Sequence, residues 1–329
     1  MRILVVGANG FLGSHIVDAC VEAGCEVTAF VRSNRTKNPS WRSKGVRKVL
    51  GDILDRESLR VACENQECVI NASGIIPNSQ PQDQIESGMV TGTKNIIDAS
   101  SYHDIARYIH ISSVAIYDTS ISILSEHSPM AKSIDKWNHY VRAKIASEIV
   151  VWDAHHNGRI IATVFRPSIV LGSRDRSTTP RVLAFLNSSF ACIIGDGQNL
   201  LPCVVVEELA QVIPLAAHRS IAEGQAYNIS GREKISQLEF LDIHARSAGI
   251  PMPRRRMATE MASIAASLME GIFNLFPQGK IPPITRFMVW LASRSVVVDC
   301  TLASKELDWS GIASYSEAVQ RSVDIMRGY

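Results

Sequence analysis

The chain has 329 residues, of which 46% are hydrophobic and 20% are charged, and its formal net charge is +2. This balance is typical of a globular protein and argues against a nucleic-acid-binding surface. The chain has no apolar run long enough to span a membrane and begins directly with a strand-like pattern, so we expect neither a transmembrane segment nor a signal peptide. The seven cysteines contain no Cys-x-x-Cys pair, which predicts buried thiols in the reducing cytoplasm, with no disulfide and no metal site.

Residues 1–13 read MRILVVGANGFLG and predict a strand, a glycine turn and the start of a helix. Gly7 suits a tight turn, Gly10 lets the backbone approach a pyrophosphate, and Gly13 lets the helix pack closely on the strand. The N-terminus of that helix would offer N–H groups and a positive dipole end to the phosphates. The turn is therefore predicted to bind a dinucleotide, through Gly7, Asn9, Gly10, Phe11, Leu12 and Gly13.

The end of the second predicted strand, residues 26–31, indicates which dinucleotide is bound. An acidic residue at this point accepts hydrogen bonds from the ribose of NAD, whereas an arginine accommodates the 2′-phosphate of NADP. Here the strand is followed by Arg32, with Arg35 and Lys37 close behind. The sequence therefore favours NADP and leaves NAD open. A solvated basic loop is the competing interpretation.

Further apolar strands alternate with helical patterns along the first half of the chain. They are predicted at residues 46–50, 67–72, 106–111 and 160–165. This alternation indicates an α/β fold, in which a doubly wound parallel sheet carries helices on both faces. Its ligand is expected at the carboxyl ends of the strands.

Three polar residues are candidates for catalysis, one after a predicted strand and two on a predicted helix. Ser113 follows the strand at 106–111, and Tyr140 and Lys144 lie four residues apart in a helical pattern, so they share one face of the helix. Each has an ordinary explanation, because a Tyr-x-x-x-Lys pair is usually a coincidence on a surface helix and a lone serine often ends a strand. Their joint occurrence in a nucleotide-binding fold predicts a catalytic triad.

In these motifs the chain resembles an extended short-chain dehydrogenase/reductase of the NAD-dependent epimerase/dehydratase superfamily, and it looks closest to the branch of 3β-hydroxysteroid dehydrogenases and dihydroflavonol reductases. The matching segments span nearly the whole chain: the glycine turn, Asp52, 71–74, Ser113, Tyr140 with Lys144, Arg166 with Pro167, 195–197, 204–210, 226–229 and 303–309.

The resemblance implies a Rossmann-type sheet with a smaller, mostly helical C-terminal substrate domain. The nucleotide-binding domain would cover residues 1–172 with a return segment at about 199–230. The substrate-binding portion would cover 173–198 and 231–329. We expect a homodimer.

The resemblance also implies a chemistry of hydride transfer at a ketone or secondary alcohol. Tyr140 would donate the proton, or accept it in reverse, and Ser113 would orient the substrate oxygen. We expect Lys144 and the nicotinamide ring to lower the pKa of Tyr140, and Lys144 also to bind the nicotinamide ribose. Asp52 would contact adenine or, alternatively, cap a helix. The implied cofactor contacts beyond the glycine turn are Arg32, Asp52, Ile53, Ala72, Ser73, Gly74, Tyr140, Lys144, Pro167 and Ile169.

Several positions depart from the family's pattern. Met89 stands where an asparagine usually begins a helix, so a polar member of the proton relay is missing. Asp118 replaces a common glycine at the pocket rim. Ser168 stands where sugar-nucleotide enzymes usually have asparagine, and Val114 and Ala115 stand where sugar dehydratases keep an acid and a base. Ser168, Val114 and Ala115 weigh against a sugar epimerase or dehydratase.

The second half of the chain offers weaker signals. Arg174, Arg176 and Arg181 form a cluster that could meet an anionic group, although a solvated loop is the preferred interpretation. An apolar stripe at helical spacing predicts a helix packed into the core. The alternative, implied by resemblance to lipid-handling reductases, is a cover for an apolar substrate or a peripheral contact with a membrane surface. The stripe comprises Met261, Ile264, Ala265, Leu268, Ile272 and Leu275.

The leading hypothesis is an NADP-dependent reductase or dehydrogenase acting on a mainly apolar small molecule. One alternative is a nucleotide-sugar epimerase or reductase. Another is a non-catalytic NAD(P)-binding regulatory subunit, which Met89 favours and the retained triad opposes.

Overall fold

A seven-stranded parallel sheet forms the centre of the computed structural model, which describes residues 1–33, 41, 43–74, 85, 87–105, 107–273 and 282–328. The strands are β1 (Arg2–Val6), β2 (Glu26–Val31), β3 (Arg47–Leu50), β4 (Cys68–Asn71), β5 (Arg107–Ile111), β6 (Ile123–Leu124), β7 (Ile161–Pro167), β8 (Ile169–Leu171), β9 (Ile193–Ile194), β10 (Leu200–Leu201), β11 (Cys203–Val205), β12 (Ala226–Ile229), β13 (Ile235–Ser236), β14 (Arg256–Met257) and β15 (Val297–Val298). The order across the sheet is β12-β7-β5-β4-β1-β2-β3.

Helices cover both faces of this sheet and form most of the C-terminal region. They are α1 (Phe11–Glu22), α2 (Arg56–Cys63), α3 (Gly92–Tyr102), α4 (His139–His156), α5 (Thr178–Leu186), α6 (Val206–His218), α7 (Gln237–Ala248), α8 (Thr259–Phe273), α9 (Arg286–Ala292), α10 (Thr301–Leu307) and α11 (Tyr315–Arg327). Short turns of π-helix at Ser87–Thr91 and of 3₁₀-helix at Val114–Ile116 and Ser220–Ala222 connect them. The predicted doubly wound α/β fold is confirmed.

Strand β1 shows why its sequence reads as a continuous apolar run. Ile3 and Val5 pack towards α1 and α6, whereas Leu4 and Val6 pack towards α2, α3 and α4. All four side chains are fully buried. Successive side chains of a strand point to opposite faces of the sheet. Because helices cover both faces here, apolar residues are needed at every position of β1.

The strand order places the carboxyl ends where a ligand can reach them. The chain moves outward from β1 to β3 and then returns to β4 on the other side of β1. In register, Val6 of β1 lies opposite Phe30 of β2 and Asn71 of β4. The connections that follow these three strands therefore leave the same edge of the sheet in diverging directions. This reversal is the point at which open α/β sheets bind their ligands.

A second apolar core holds the C-terminal helices together. Val182 of α5, Phe240 of α7, Ala262 of α8, Val289 of α9 and Val319 of α11 are among its buried members. The smaller, mostly helical C-terminal region expected from the sequence is thus present.

Helix α7 illustrates how the sequence sets element boundaries in this region. Its N-terminus has a capping box, in which the Ser236 hydroxyl accepts the Glu239 N–H at 3.3 Å and the Glu239 carboxylate accepts the Ser236 N–H at 2.7 Å. The helix ends at Ala248. The next residue, Gly249, has a φ of +67°, the left-handed conformation that glycine adopts freely.

The prediction that the apolar stripe of α8 packs into the core is wrong. The buried positions of this helix are the small residues Ala262 and Ala266, which let α8 lie close against its neighbours. The spacing defined which side chains share a face, but alanines allowed the opposite face to become the packed one. Ala265 is half-buried, and Leu275 lies outside the described residues. The large side chains point outward with exposed fractions of 62% for Met261, 61% for Ile264, 65% for Leu268 and 51% for Ile272.

Across the described ranges, every helix is too short or too polar to cross a bilayer. The same ranges contain no group of His, Cys, Asp and Glu side chains arranged to hold a metal ion. The cysteines are free thiols, and all except the half-buried Cys300 are buried.

Candidate active site

A cavity of about 980 Å³ lies at the carboxyl ends of the sheet strands and continues towards α5, α7 and α9. Every residue that the sequence suggested as catalytic or cofactor-binding lines it. The residues brought together are Gly7, Asn9, Gly10, Phe11, Leu12, Gly13, Arg32, Asp52, Ile53, Ala72, Ser73, Gly74, Ser113, Tyr140, Lys144, Pro167 and Ile169.

The glycine turn after β1 is packed so closely against neighbouring backbone that Gly7 and Gly13 have no room for a side chain. Gly7 has φ of +81°, and a Cβ there would lie 2.8 Å from the backbone nitrogen of Ser73. The Gly10 N–H donates to the Gly7 carbonyl at 2.8 Å, and a Cβ on Gly13 would collide with that same carbonyl. No side chain of the described residues caps α1 at Gly10. The glycine turn and uncapped helix N-terminus fit the pyrophosphate of a dinucleotide.

Arg32 stands immediately after β2 at the edge of the cavity. Its side chain is exposed, and it forms no ion pair with any residue in the described part of the chain. The neighbouring turn is fixed because the Asn9 side chain donates to the Ser33 carbonyl at 3.2 Å. Arg35 and Lys37, the other basic residues of the predicted ribose end, lie outside the described residues.

Asp52 lies across the cavity from the glycine turn and does not cap a helix. Its carboxylate accepts the Leu54 N–H at 2.9 Å. The residue that caps α2 is Asp55, which accepts the Glu57 N–H at 3.1 Å. The helix-cap alternative is therefore wrong for Asp52. Its position leaves the adenine-contact prediction open.

The loop after β4 is fixed by hydrogen bonds to the side chain of a buried asparagine, Asn71. The Oδ1 of Asn71 accepts the Ser73 N–H at 3.1 Å and the Ser73 hydroxyl at 2.5 Å. Its amide donates to the Tyr108 hydroxyl at 3.0 Å. Asn71 is completely buried, so each of these bonds satisfies a group that water cannot reach. The result is a rigid Ala72-Ser73-Gly74 wall beside Lys144.

The predicted catalytic side chains meet in the middle of the cavity. Asn138 caps α4 by accepting the Val141 N–H at 3.3 Å, which sets Tyr140 in the first turn of the helix. The side chains of Ser113 and Tyr140 both line the cavity, and Ser113 acts on the pKa of Tyr140. One turn further along α4, the Lys144 ammonium donates to the Ile111 carbonyl at 2.7 Å.

Burial dominates the electrostatics of this group. It raises the pKa of Tyr140 above its ordinary value, and the neighbouring Ser113 side chain only partly opposes the shift. Burial also lowers the pKa of Lys144 to about 8, against the attraction of the Glu148 carboxylate. The sequence-based expectation of a lowered Tyr140 pKa is therefore not met in the protein alone, because removing a phenolate from water is costly.

A buried ionic network lies beneath α4. Glu148 of α4 and Arg166 of β7 form an ion pair, and Arg166 also donates to the Tyr117 hydroxyl at 2.7 Å. That hydroxyl donates to Asn228 of β12 at 2.7 Å, while the Trp152 indole donates to Glu148 at 3.1 Å. Sequence analysis missed the role of Glu148, although its position four residues after Lys144 on the same helical face was a readable signal.

The positions that depart from the family pattern also lie around the cavity or its rim. Met89 is buried in the π-helical turn, where it packs against Ile85 and Ala143. The Ser168 hydroxyl donates to the Ser230 hydroxyl at 3.2 Å. Asp118 accepts hydrogen bonds from the backbone and side chain of Ser120. Val114 and Ala115, in the 3₁₀ turn after Ser113, face the cavity with apolar side chains.

The predicted arginine cluster is divided in the structure. Arg174 turns away to pair with Asp18 at 2.9 Å. Arg176 lies at the glycine turn, where it donates to the Asn9 carbonyl at 3.4 Å, and Arg181 lines the cavity from α5.

The far end of the cavity has apolar walls that sequence analysis did not identify as part of a site. The Phe287 ring meets Tyr140 edge to face, with centroids 5.6 Å apart, and stacks on Trp290 at the same separation. These residues belong to α9, which packs against α8 and closes the cavity opposite the sheet. The other apolar side chains here are Leu124, Val182, Phe185, Ile194, Phe240, Leu241, Ile284, Met288, Leu291 and Val296.

Residues 3–230 match the sequence model of the NAD dependent epimerase/dehydratase family. The chain belongs to this family. The match covers the glycine turn, the Ser113–Tyr140–Lys144 group and the returning strand β12. It confirms the expected membership among the extended short-chain dehydrogenases/reductases.

Relatives of this epimerase/dehydratase family member align along nearly its whole length. It is 26% identical to a 2-alkyl-3-oxoalkanoate reductase of Shewanella oneidensis, over 96% of this chain and 84% of that protein. It is 25% identical to the Homo sapiens sterol-4-alpha-carboxylate 3-dehydrogenase, decarboxylating, over 99% and 88% of the two chains. The solved structure of gox2253 has the same fold, with a TM-score of 0.80, 22% identity, and coverage of 99% and 98%.

Proposed function

We propose that this protein is an NADP-dependent reductase or dehydrogenase that acts on a ketone or secondary alcohol of a mainly apolar small molecule. The observation that carries the proposal is the convergence of Ser113, Tyr140 and Lys144 in one cavity, between the glycine turn and apolar walls. The names of the two relatives support it, because both describe oxidoreductases whose substrates combine an oxygen function with a large apolar frame.

In the proposed reaction each residue of the site has a separate role. Bound nicotinamide cofactor supplies or accepts a hydride. Tyr140 transfers the proton at the substrate oxygen through its hydroxyl, and Ser113 holds that oxygen by a hydrogen bond. Lys144 adds a positive charge that favours the phenolate form of Tyr140. Phe287 excludes water from the phenol, which strengthens each of these interactions.

The preference for NADP rests on Arg32. An exposed guanidinium at the end of β2, with no ion-pair partner among the described residues, is free to bind a 2′-phosphate through charge-assisted hydrogen bonds. The one carboxylate among the cavity-lining residues is Asp52, which follows β3 rather than β2.

Alternative chemistry is less well supported by the residues in place. A sugar dehydratase would need an acid and a base where Val114 and Ala115 stand. A nucleotide sugar would also have to place hydroxyl groups against the apolar side chains of α9. A purely regulatory subunit would have no use for Tyr140 and Lys144 in their present arrangement.

We also infer that α8 makes a peripheral contact with an anionic membrane surface. Its four exposed apolar side chains form one stripe, and a contiguous exposed stripe of this kind marks an interaction surface. Arg254, Arg255 and Arg256 lie two residues before the start of the helix and are exposed, whereas Glu260 is an exposed acidic side chain in its first turn. Basic residues beside an apolar helical face fit anionic lipid headgroups.

The proposed activity is tested by a panel of hydrophobic ketones and secondary alcohols, assayed by nicotinamide absorbance with NADPH, NADP, NADH and NAD. UDP-sugars are included and their products are analysed for epimers. We expect turnover of hydrophobic ketones with NADPH. Epimerisation of a UDP-sugar without net change in absorbance, or failure to turn over any ketone while NADPH binds, would overturn the proposal.

A further inference from the structure

A cation lies among the apolar walls at the far end of the cavity. Arg294 follows α9, and its Cζ lies over the Trp290 ring, 4.6 Å from the ring centroid. Its Nε is buried and makes no hydrogen bond within the described part of the chain. A buried donor without an acceptor destabilises the folded protein unless a ligand or an ordered water supplies one.

The charge of Arg294 is also not neutralised by a direct ion pair. Asp118 is the carboxylate whose field acts on it, but the two form no ion pair among the described residues. The Asp118 carboxylate is engaged by Ser120, whose N–H and hydroxyl donate to it at 2.9 and 2.8 Å. Arg286, at the other end of α9, is different, because it is paired with Glu270 at 2.6 Å.

The cavity as a whole is basic, and its cofactor end does not account for all of the charge. Arg32 and Arg176 lie beside the predicted ribose and pyrophosphate positions, and Lys144 lies beside Tyr140. Arg181 is under the influence of Asp175. Arg294 is the cation that stacks on the aromatic side chain of Trp290 at the apolar end. The charged residues lining the cavity are Arg32, Asp52, Lys144, Arg176, Arg181 and Arg294.

We propose that Arg294 binds a carboxylate carried by the substrate, which makes the substrate an apolar oxo acid rather than a neutral ketone. The inference rests on the proposed function, because it places the acid in the same cavity as Tyr140. A guanidinium receives a planar carboxylate through two parallel N–H···O bonds, and stacking on Trp290 holds the Arg294 guanidinium at the apolar end of the cavity. A single guanidinium balances one negative charge, whereas a phosphate would leave excess charge among apolar side chains.

The turnover test compares medium-chain oxo acids, differing in the position of the ketone, with their methyl esters. The acid and its ester share the ketone and the chain and differ in the charge that Arg294 would bind. We expect Arg294→Gln to lower kcat/KM for the acid by about tenfold to a hundredfold, the loss of a hydrogen-bonded ionic contact, while kcat/KM for the ester changes by less than about threefold. Arg294→Lys should give an intermediate loss. Arg60→Gln, at an arginine of α2 outside the cavity, is the matched control and should change neither value.

A binding test makes the result independent of turnover. Medium-chain fatty acids and the corresponding alcohols are titrated into the NADP-bound protein by calorimetry, for the parent chain and for Arg294→Gln. We expect the parent to bind the acid more tightly than the alcohol and the variant to lose this difference. Equal losses for acid and ester, or a variant that still prefers the fatty acid, would overturn the role of Arg294. An acid preference that depends on Arg294 in a protein that turns over no ketone would support the carboxylate site and count against the proposed function alone.

Discussion

Arg166 and Glu148 form an ion pair inside the protein, with side chains that are 6% and 0% exposed. The Arg166 guanidinium contacts both carboxylate oxygens of Glu148 and also donates to the Tyr117 hydroxyl and the Glu126 carbonyl. Through these bonds β7 holds α4 at a point one turn beyond Lys144. The pair therefore links the stability of the sheet to the position of α4, which carries Tyr140 and Lys144.

Removal of one charge from this pair should destabilise the fold strongly. Glu148→Gln leaves the Arg166 charge buried without its counter-ion, and we expect a loss of about 3–5 kcal/mol in the free energy of unfolding. The measurement is urea denaturation followed by circular dichroism. Glu317→Gln is the control, since Glu317 forms an exposed i,i+4 pair with Arg321 and should cost less than about 1 kcal/mol. Similar losses for both variants would show that the buried pair is not a major determinant of stability.

The sequence predicted the sheet, and the residues that it suggested for cofactor binding line one cavity, because local patterns determine both. A strand, a glycine turn and a helix are contiguous, and the four-residue spacing of Tyr140 and Lys144 fixes their common face. The substrate half depends on contacts between distant segments, such as Phe287 against Tyr140. Helical spacing likewise could not say which face of α8 is buried, because that depended on how closely Ala262 and Ala266 let the helix approach.

Burial of Lys144 gives the folded protein a distinctive dependence on pH. Its pKa is about 8 in the fold and 10.5 as the ordinary value. Between these values the unfolded chain binds a proton that the folded chain does not, so the free energy of unfolding contributed by Lys144 rises as the pH increases through this window. Lys144→Met removes the titrating group. We expect the stability of the parent relative to this variant to improve between neutral pH and about pH 10, as measured by urea denaturation. A constant difference across the window would show that Lys144 stays protonated in the fold.

Tyr140→Phe isolates the proton transfer. The substitution removes the hydroxyl and retains the ring contact with Phe287, so we expect the fold and the NADPH affinity to change little. Loss of a positioned general acid should lower kcat by at least about 10²–10⁴-fold. Steady-state kinetics and NADPH fluorescence titration are the measurements, and Tyr102→Phe, at an exposed tyrosine, is the control. Turnover at the parental rate would remove Tyr140 from the chemistry.

Arg32→Asp tests the choice of cofactor. The change replaces a cation by an anion where a 2′-phosphate is expected, so NADPH should bind at least about tenfold to a hundredfold more weakly. NADH lacks this phosphate, and its affinity should change little or improve. Fluorescence titration with both cofactors gives the two ratios, and Arg60→Asp on α2, which does not line the cavity, is the control. Equal losses for NADPH and NADH would refute contact between Arg32 and the phosphate.

The α8 stripe provides a test of membrane contact. We expect the parent chain to sediment with vesicles that contain an anionic phospholipid and to bind zwitterionic vesicles more weakly, because apolar burial and charge attraction add. Replacement of Met261, Ile264, Leu268 and Ile272 by serine should abolish sedimentation with both kinds of vesicle. Arg254→Gln with Arg255→Gln should weaken only the anionic case. Replacement of the equally exposed Ile221 and Ile312 by serine is the control and should have no effect.

If the quadruple variant still sediments, the stripe does not bind lipid. If the parent chain does not sediment with vesicles and the quadruple substitution converts a dimer into monomers in solution, the stripe is an interface between two copies of the chain.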